Sequence, residues 1–363
     1  MAIQKQRACV RMWSCLAEVI RWVLGHGVAA RLLVFACAGV VAVHAGAQVN
    51  APLRFGVLPL GDVLESRRNW EPLWAEMARE IGQPIAALSL PSYGALARSI
   101  QQDGVDIALL PGKLALDAVV GGHMQVIAEV ARRNGIPEHQ SVLLTRKVPP
   151  FNSLDALLRA PERWVIARGP ASSLTGFLVP QMQLFIPNNI EIETRFRDVV
   201  IGTHQETALA VANGDADVAT NNTTDLERFR RQFPVEAERI QVIWSSASVP
   251  AAQILVRKGL APEVKRKLRS ALVDYGRADD VRGAQQRAVL RGLMSSYGYV
   301  AADNTALLPV ADLEYESARS RALHGQWTSQ EALRARLAAL EREHRRWVAL
   351  LQPDNALEEK PKR

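Results

Sequence analysis

From Leu53 onward, short apolar runs alternate with longer amphipathic stretches, and this alternation restricts the chain to a layered α/β architecture. RFGVLPL (Arg54 to Leu60), IAALSL (Ile85 to Leu90), VDIALL (Val105 to Leu110) and MQVIAEVA (Met124 to Ala131) read as strands. NWEPLWAEMAREIG (Asn69 to Gly82) places Leu73, Met77 and Ile81 at helical spacing and stops on Gly82, and a second helix spans Tyr93 to Gln102. After SVLLTRK (Ser141 to Lys147) a new series begins near Phe151: a helix SLDALLR, a strand WVIA, a helix after Gly176, a strand TRFRDV, a helix from His204 to Asn213 and a strand ADVATN. The helix DLERFRRQF and the run IQVIWS follow, and PAAQILVRK (Pro250 to Lys258) reads as a return strand. This order predicts two α/β lobes joined by two crossover strands, near 141–147 and 252–257, that open and close about a hinge around a ligand. The first lobe takes 48–146 and 252–325, the second 147–251. A C-terminal amphipathic helix takes 326–352 and a disordered tail 353–363.

Residues 1–47 read differently. Lys5, Arg7, Arg11, Arg21 and Arg31 stand against one acid, Glu18, and the apolar run LLVFACAGVVAV leads into Ala45-Gly46-Ala47. That arrangement predicts a secretory signal peptide cleaved after Ala47, too short and wrongly flanked for a membrane span. A lipoprotein site at Cys37 has only the weak preceding motif VFA. All three cysteines (Cys9, Cys15, Cys37) lie in this leader, so the exported chain has no disulfide, thiolate metal site or cysteine nucleophile. The leader carries five basic residues and one acid, and its loss takes the formal net charge from +7 to +3. So small a charge on a long chain is no nucleic-acid footprint and leaves small anions as partners.

Three corners share one design. Ser92-Tyr93, the stretch Gly169-Pro-Ala-Ser-Ser-Leu-Thr-Gly176 with Ser172, Ser173, Leu174 and Thr175, and Thr203-His204 each follow a strand and open a helix. Thr203-His-Gln-Glu206 is itself a capping box. Each serine or threonine alone is an ordinary helix cap. Together, after successive strands of an open sheet, they bring free backbone N–H groups and partial positive charge to one place and predict an anion pocket. The segment Thr328 to Leu351 spaces Leu333, Leu337, Leu340, His344, Trp347 and Leu351 along one face behind a capping box Thr328-x-x-Glu331. That stripe suits packing on the first lobe, or contact with a second copy or another partner.

GPASSLTGFLVP, the run Gly202 to Arg230 with ALAVANGDADVATNNT, and VIWSSASVPAAQILVRKGL resemble the periplasmic phosphonate-binding protein family, the binding components of phosphate, phosphite and phosphonate ABC importers, over roughly Leu53 to Val310. The resemblance implies a type II periplasmic binding fold in which hydroxyls and backbone amides at a helix start grip the ligand oxygens. It matches Ser173 and Thr175 to anion-binding hydroxyls, His204 to an anion-binding histidine and Tyr93 to a cleft tyrosine. It implies an inner-membrane ABC permease as partner, or alternatively, with the same fold, a membrane receptor or histidine kinase read by a ligand sensor.

Departures narrow the ligand. Leu174 stands where the family often has a threonine, and His139 where its aminophosphonate binders have a second tyrosine. Thr224 and Ala252 stand where those binders place the carboxylates that contact the ligand amine. An ammonium buried without a counter-charge is costly, so an unaminated phosphonate, phosphite or phosphate is expected over 2-aminoethylphosphonate. His139 and Thr224 remain able to donate to a ligand oxygen. No G-x-S-x-G elbow and no Ser-x-x-Lys surrounds Ser173, so no enzyme is expected, and the histidines and acids form no zinc or calcium pattern, so neither metal nor cofactor is expected.

Overall fold

In the computed structural model, which describes residues 51–57, 63–90, 92–131, 138–148, 153–294 and 298–352, the apolar runs form two mixed sheets. In chain order the strands are β1 (Leu53–Val57), β2 (Ile85–Ser89), β3 (Ile107–Leu110), β4 (Met124–Val130), β5 (Glu138–His139), β6 (Ser141–Arg146), β7 (Val165–Arg168), β8 (Asp198–Ile201), β9 (Val218–Asn222), β10 (Ile240–Ser245), β11 (Val249–Pro250), β12 (Gln253–Arg257) and β13 (Tyr299–Ala301). One sheet runs β13-β4-β12-β3-β1-β2 and the other β10-β6-β9-β7-β8. Around β1 and β7 the pairing is parallel. β12 enters the first sheet antiparallel to β3 and β4, and β6 enters the second antiparallel to β9 and β10. Both inserted strands are read in sequence as near-continuous apolar runs, as strands covered on both faces must be.

The two passages between the sheets are shorter and lie earlier than the sequence suggests. β5 and β11 pair antiparallel as a two-stranded ribbon, Val249 opposite His139 and Pro250 opposite Glu138. Ser141–Arg146, assigned from sequence to the end of the first lobe, belongs to the second sheet, where Ser141 pairs with Asn222 and Thr145 with Val218. TRFRDV also differs: Ile192–Arg195 is a helical turn and β8 starts only at Asp198, because its alternation is too short to distinguish from a turn. The leader 1–47, with its cysteines, and the tail 353–363 lie outside the described residues. Among the described residues no helix is long and apolar enough to cross a membrane.

Two apolar layers cover the first sheet. On one side Phe55 of β1 meets Trp70 and Trp74 of the helix Val63–Ile81, with ring centroids 5.2 and 3.9 Å away. On the other side Leu96, Leu110, Leu116 and Leu255 pack with Val310 and Leu351. Each such side chain, fully buried, contributes about 1.5–3 kcal/mol. The second lobe has its own layers on either face, around Val211, Leu226 and Phe229 and around Phe185, Phe196 and Ile192.

The helix Gln330–Leu350 folds back on the helix Leu308–His324. Leu340 and Leu351 are buried, Trp347 packs on the first lobe's core, and His344 stacks on Tyr315 and lies 2.8 Å from Asp312 Oδ1. The apolar stripe is therefore covered in part within the chain, at Leu340 and Leu351. Its cap is Ser329, whose Oγ accepts from Ala332 N at 3.1 Å; the helix starts one residue later than a Thr328 capping box requires.

Asp106, 5% exposed, ties three neighbouring strands together. Its carboxylate accepts from Arg54 N at 2.9 Å and Arg54 Nε at 2.8 Å on β1, and from Arg257 Nε at 2.9 Å on β12. Burial alone would raise its pKa, but these hydrogen bonds and the Arg54 charge outweigh burial and hold it below the ordinary value. A depressed carboxylate contributes stability above its unfolded pKa and loses it as pH falls through the folded one. Asp106→Asn is expected to lower stability by about 2–4 kcal/mol at pH 7 in urea unfolding, with the gap to wild type narrowing below about pH 4.

Candidate ligand-binding cleft

Four helix starts meet at the carboxyl ends of β2, β7, β8 and β9, where open α/β sheets present their ligand sites. Each carries a side-chain cap. Ser92 Oγ accepts from Ala95 N at 3.2 Å, Ser173 Oγ from Gly176 N at 3.0 Å, and Asn222 Oδ1 from Asp225 N at 2.8 Å. At the fourth, Thr203 Oγ1 accepts from Glu206 N at 3.3 Å while Glu206 Oε2 accepts from Thr203 N at 2.7 Å, the capping box read from sequence. The caps hold the helix starts open toward a cavity of about 820 Å³ between the lobes, lined by Ser92, Tyr93 and Gly94 from the first and by Ser172, Ser173 and His204 among others from the second.

The Gly169–Gly176 corner depends on close backbone approach. A Cβ on Gly176 would stand 2.7 Å from Ser173 Oγ, 2.9 Å from Gly169 Cα and 3.1 Å from His204 Cε1, so only glycine lets these three groups converge. Buried hydroxyls fasten the turn from behind: Thr220 Oγ1 donates to Gly176 O at 2.6 Å and Ser141 Oγ to Thr175 O at 2.6 Å. The helix that follows winds in wide turns, with Leu178 N donating to Ser173 O at 3.1 Å, and these turns accommodate Pro180 without an N–H to offer. Arg168, 5% exposed, lies under the corner; its Nη1 donates to Gly169 O at 2.7 Å, its Nη2 pairs with Glu193 and its guanidinium covers the Phe177 ring.

His204 is the hub. Its Nε2 is 3.3 Å from Thr175 Oγ1, which also accepts from Asn222 Nδ2 at 3.3 Å, and its carbonyl accepts from Asn221 Nδ2 at 2.7 Å. Its Nδ1 is buried. Burial lowers the imidazole pKa below 6.5, against the raising effect of Asp225, so the ring is neutral at pH 7 in the free protein. Tyr93 faces this side, and burial together with the Asp225 charge pushes its phenol up to about 12, leaving it a neutral donor.

Of the residues named from sequence, Tyr93, Ser172, Ser173 and His204 line one cavity. Thr175 is buried behind them and acts through His204. Leu174 is displaced from the site: its side chain is 6% exposed, packs with the first lobe's apolar layer and would lie 2.7 Å from a Cβ on Gly112, because the turn rotates it away from the cleft. His139 sits on the β5–β11 ribbon and Thr224 in the first turn of the helix Thr223–Gln232, and neither is among the cavity's lining residues.

Sequence reasoning missed two charged residues of that helix. Asp225 and Arg228 both line the cavity, and the sequence emphasis on lost carboxylates at 224 and 252 passed over the carboxylate at 225. Asp225 accepts from Asn222 Nδ2 at 2.7 Å and Arg228 Nη1 at 2.8 Å. Burial would raise its pKa, yet the Arg228 charge and the Asn222 bond, joined by His204 whenever that ring is protonated, bring it below the ordinary carboxylate value, so it is ionised. The legible signal was Asn222 at a strand end with an acid three residues on, the spacing of a cap.

A family model described as ABC transporter, phosphonate, periplasmic substrate-binding protein matches residues 55–307. The chain is 32% identical over 244 residues to the phosphonates-binding periplasmic protein of Escherichia coli, covering 67% of this chain and 72% of that one. The crystal structure of a binding-protein component of a phosphonate ABC transporter from Pseudomonas aeruginosa superposes with a TM-score of 0.73 at 30% identity, over 82% of this chain and 97% of its own. PhnD1 of Prochlorococcus marinus, solved in complex with methylphosphonate, has the same fold, with a TM-score of 0.64 at 15% identity over 73% of this chain and 97% of its own.

Because its folded pKa lies below the unfolded value, His204 costs stability as pH falls from about 6.5 toward the folded pKa, where the unfolded chain binds the extra proton. In the free protein the His204 ring resonances are expected to titrate below 6.5 by NMR, and His204→Gln is expected to flatten the stability profile across that window.

Proposed function

The chain belongs to the phosphonate-binding family of periplasmic substrate-binding proteins of ABC transporters, and on that premise we propose that it holds a phosphonate, phosphite or phosphate in the cleft between its lobes and delivers it for import. The observation that carries this reading is the convergence of four capped helix starts on one cavity beside His204. Ser173 Oγ already accepts the Gly176 N–H, which leaves its own O–H to donate to a ligand oxygen. Free N–H groups of the first turns and a protonatable imidazole add donors to a charged acceptor, and such bonds strengthen as closure excludes water. An oxyanion next to His204 raises the imidazole pKa and recruits a proton.

Export to the periplasm through the leader 1–47 and docking on an inner-membrane permease belong to the same proposal. Asp225 is a poor amine site, since Arg228 Nη1 at 2.8 Å already neutralises its charge and repels a second cation.

Ser173→Ala is expected to weaken methylphosphonate or phosphate binding by about 1.5–3 kcal/mol, read by calorimetry, with a smaller further loss on adding Thr175→Ala, which lies behind His204, while circular dichroism shows an intact fold. Unchanged affinity would sink the assignment of the corner. A thermal-shift panel is expected to rank methylphosphonate, phosphite or phosphate above 2-aminoethylphosphonate; the reverse order would return the amine to the ligand.

A further inference from the structure

We infer that Arg228 forms a second subsite in the cleft, which takes an anionic, oxygen-bearing group such as a carboxylate on the organic arm of the ligand. The inference rests on the reading that the Ser173–His204 corner holds the phosphoryl end. Arg228 lines the same cavity one helical turn beyond Asp225, and its side chain is only 14% exposed. Nη1 donates to Asp225 Oδ1 at 2.8 Å, whereas Nη2 is buried and makes no hydrogen bond among the described residues. A guanidinium carries its donors in one rigid plane, so an edge fixed by Asp225 aims the other edge in a set direction. A buried donor of a cation left unpaired is costly, and a shift of the Arg228 side chain as the lobes close on the ligand would bring a ligand oxygen to it.

The same geometry disfavours an ammonium in that place. Asp225 accepts from Arg228 at Oδ1 and from Asn222 Nδ2 at Oδ2, 2.7 Å away, and the adjacent guanidinium both neutralises the carboxylate and repels a second cation. Thr224 and Ala252 bring no further charge. A cavity of about 820 Å³ is larger than a bare oxyanion needs and leaves room for an arm. The ligand class is thus a phosphonate or phosphate ester with a second acceptor end.

Calorimetry with phosphonoacetate and its uncharged-arm isostere 2-methylpropylphosphonate tests this directly. Phosphonoacetate is expected to bind about tenfold or more tighter, and Arg228→Met to reduce that ratio to near one. Because Arg228→Met strands the Asp225 carboxylate, the neutral pair Asp225→Asn with Arg228→Met repeats the measurement in a cleft with no uncompensated charge, and the same collapse of the ratio is expected. Equal affinities in the wild type, or a preference for phosphonoacetate that survives in both variants, would overturn the Arg228 subsite and leave the phosphoryl corner standing. Failure of methylphosphonate, phosphite and phosphate alike to bind would overturn both readings.

Discussion

The exchange of one strand between the two lobes is the constraint on which the remaining architecture depends. β6 and β12 each leave the short β5–β11 ribbon and enter a sheet antiparallel to its parallel strands, where backbone hydrogen bonds fix their register on both sides. A one-residue slip would turn every apolar side chain of these strands to the wrong face, so the register is held by burial as well as by the ladder. Asp106 fastens β12 to β1 and β3 through two arginines. With both insertions in place, the carboxyl ends of β2 and β7 to β9 face one another across the cleft.

From that placement the chemistry of the cleft follows. At the Ser173 and His204 corners, helix starts supply donors without bringing basic side chains. The tight Gly169–Gly176 contact brings the capped turn against the His204 ring, and Thr175 and Asn222 link that ring to the start of the next helix. Asp225 and Arg228 then form an internal ion pair inside a cavity otherwise built for anions. Such a pair is costly to desolvate and contributes little net stability, so its value lies in the direction it imposes on the guanidinium.

Much of this was legible in residue order. The helix His204–Asn213 begins and ends where its pattern places it, and the Thr203 capping box is formed in full. The misses have physical causes. TRFRDV alternates for too few residues to separate a strand from a helical turn. Thr328 and Ser329 are equally good caps, and only the docking of the helix on Leu308–His324 decides between them. Leu174 occupies a motif position but turns into the apolar layer, because backbone rotation within a wide helical turn is not written in the spacing.

Sequence alone determined the α/β alternation, the capped corners and the family, because each is a local pattern of apolar period and hydrogen-bonding side chains. Tertiary structure alone decided which of those corners share a cavity, that Asp225 and Arg228 stand in it, and that the C-terminal helix docks on the chain's own helix Leu308–His324. Those outcomes depend on contacts between residues far apart in the chain, whose distances are set by strand exchange and packing and leave no period in the sequence to read.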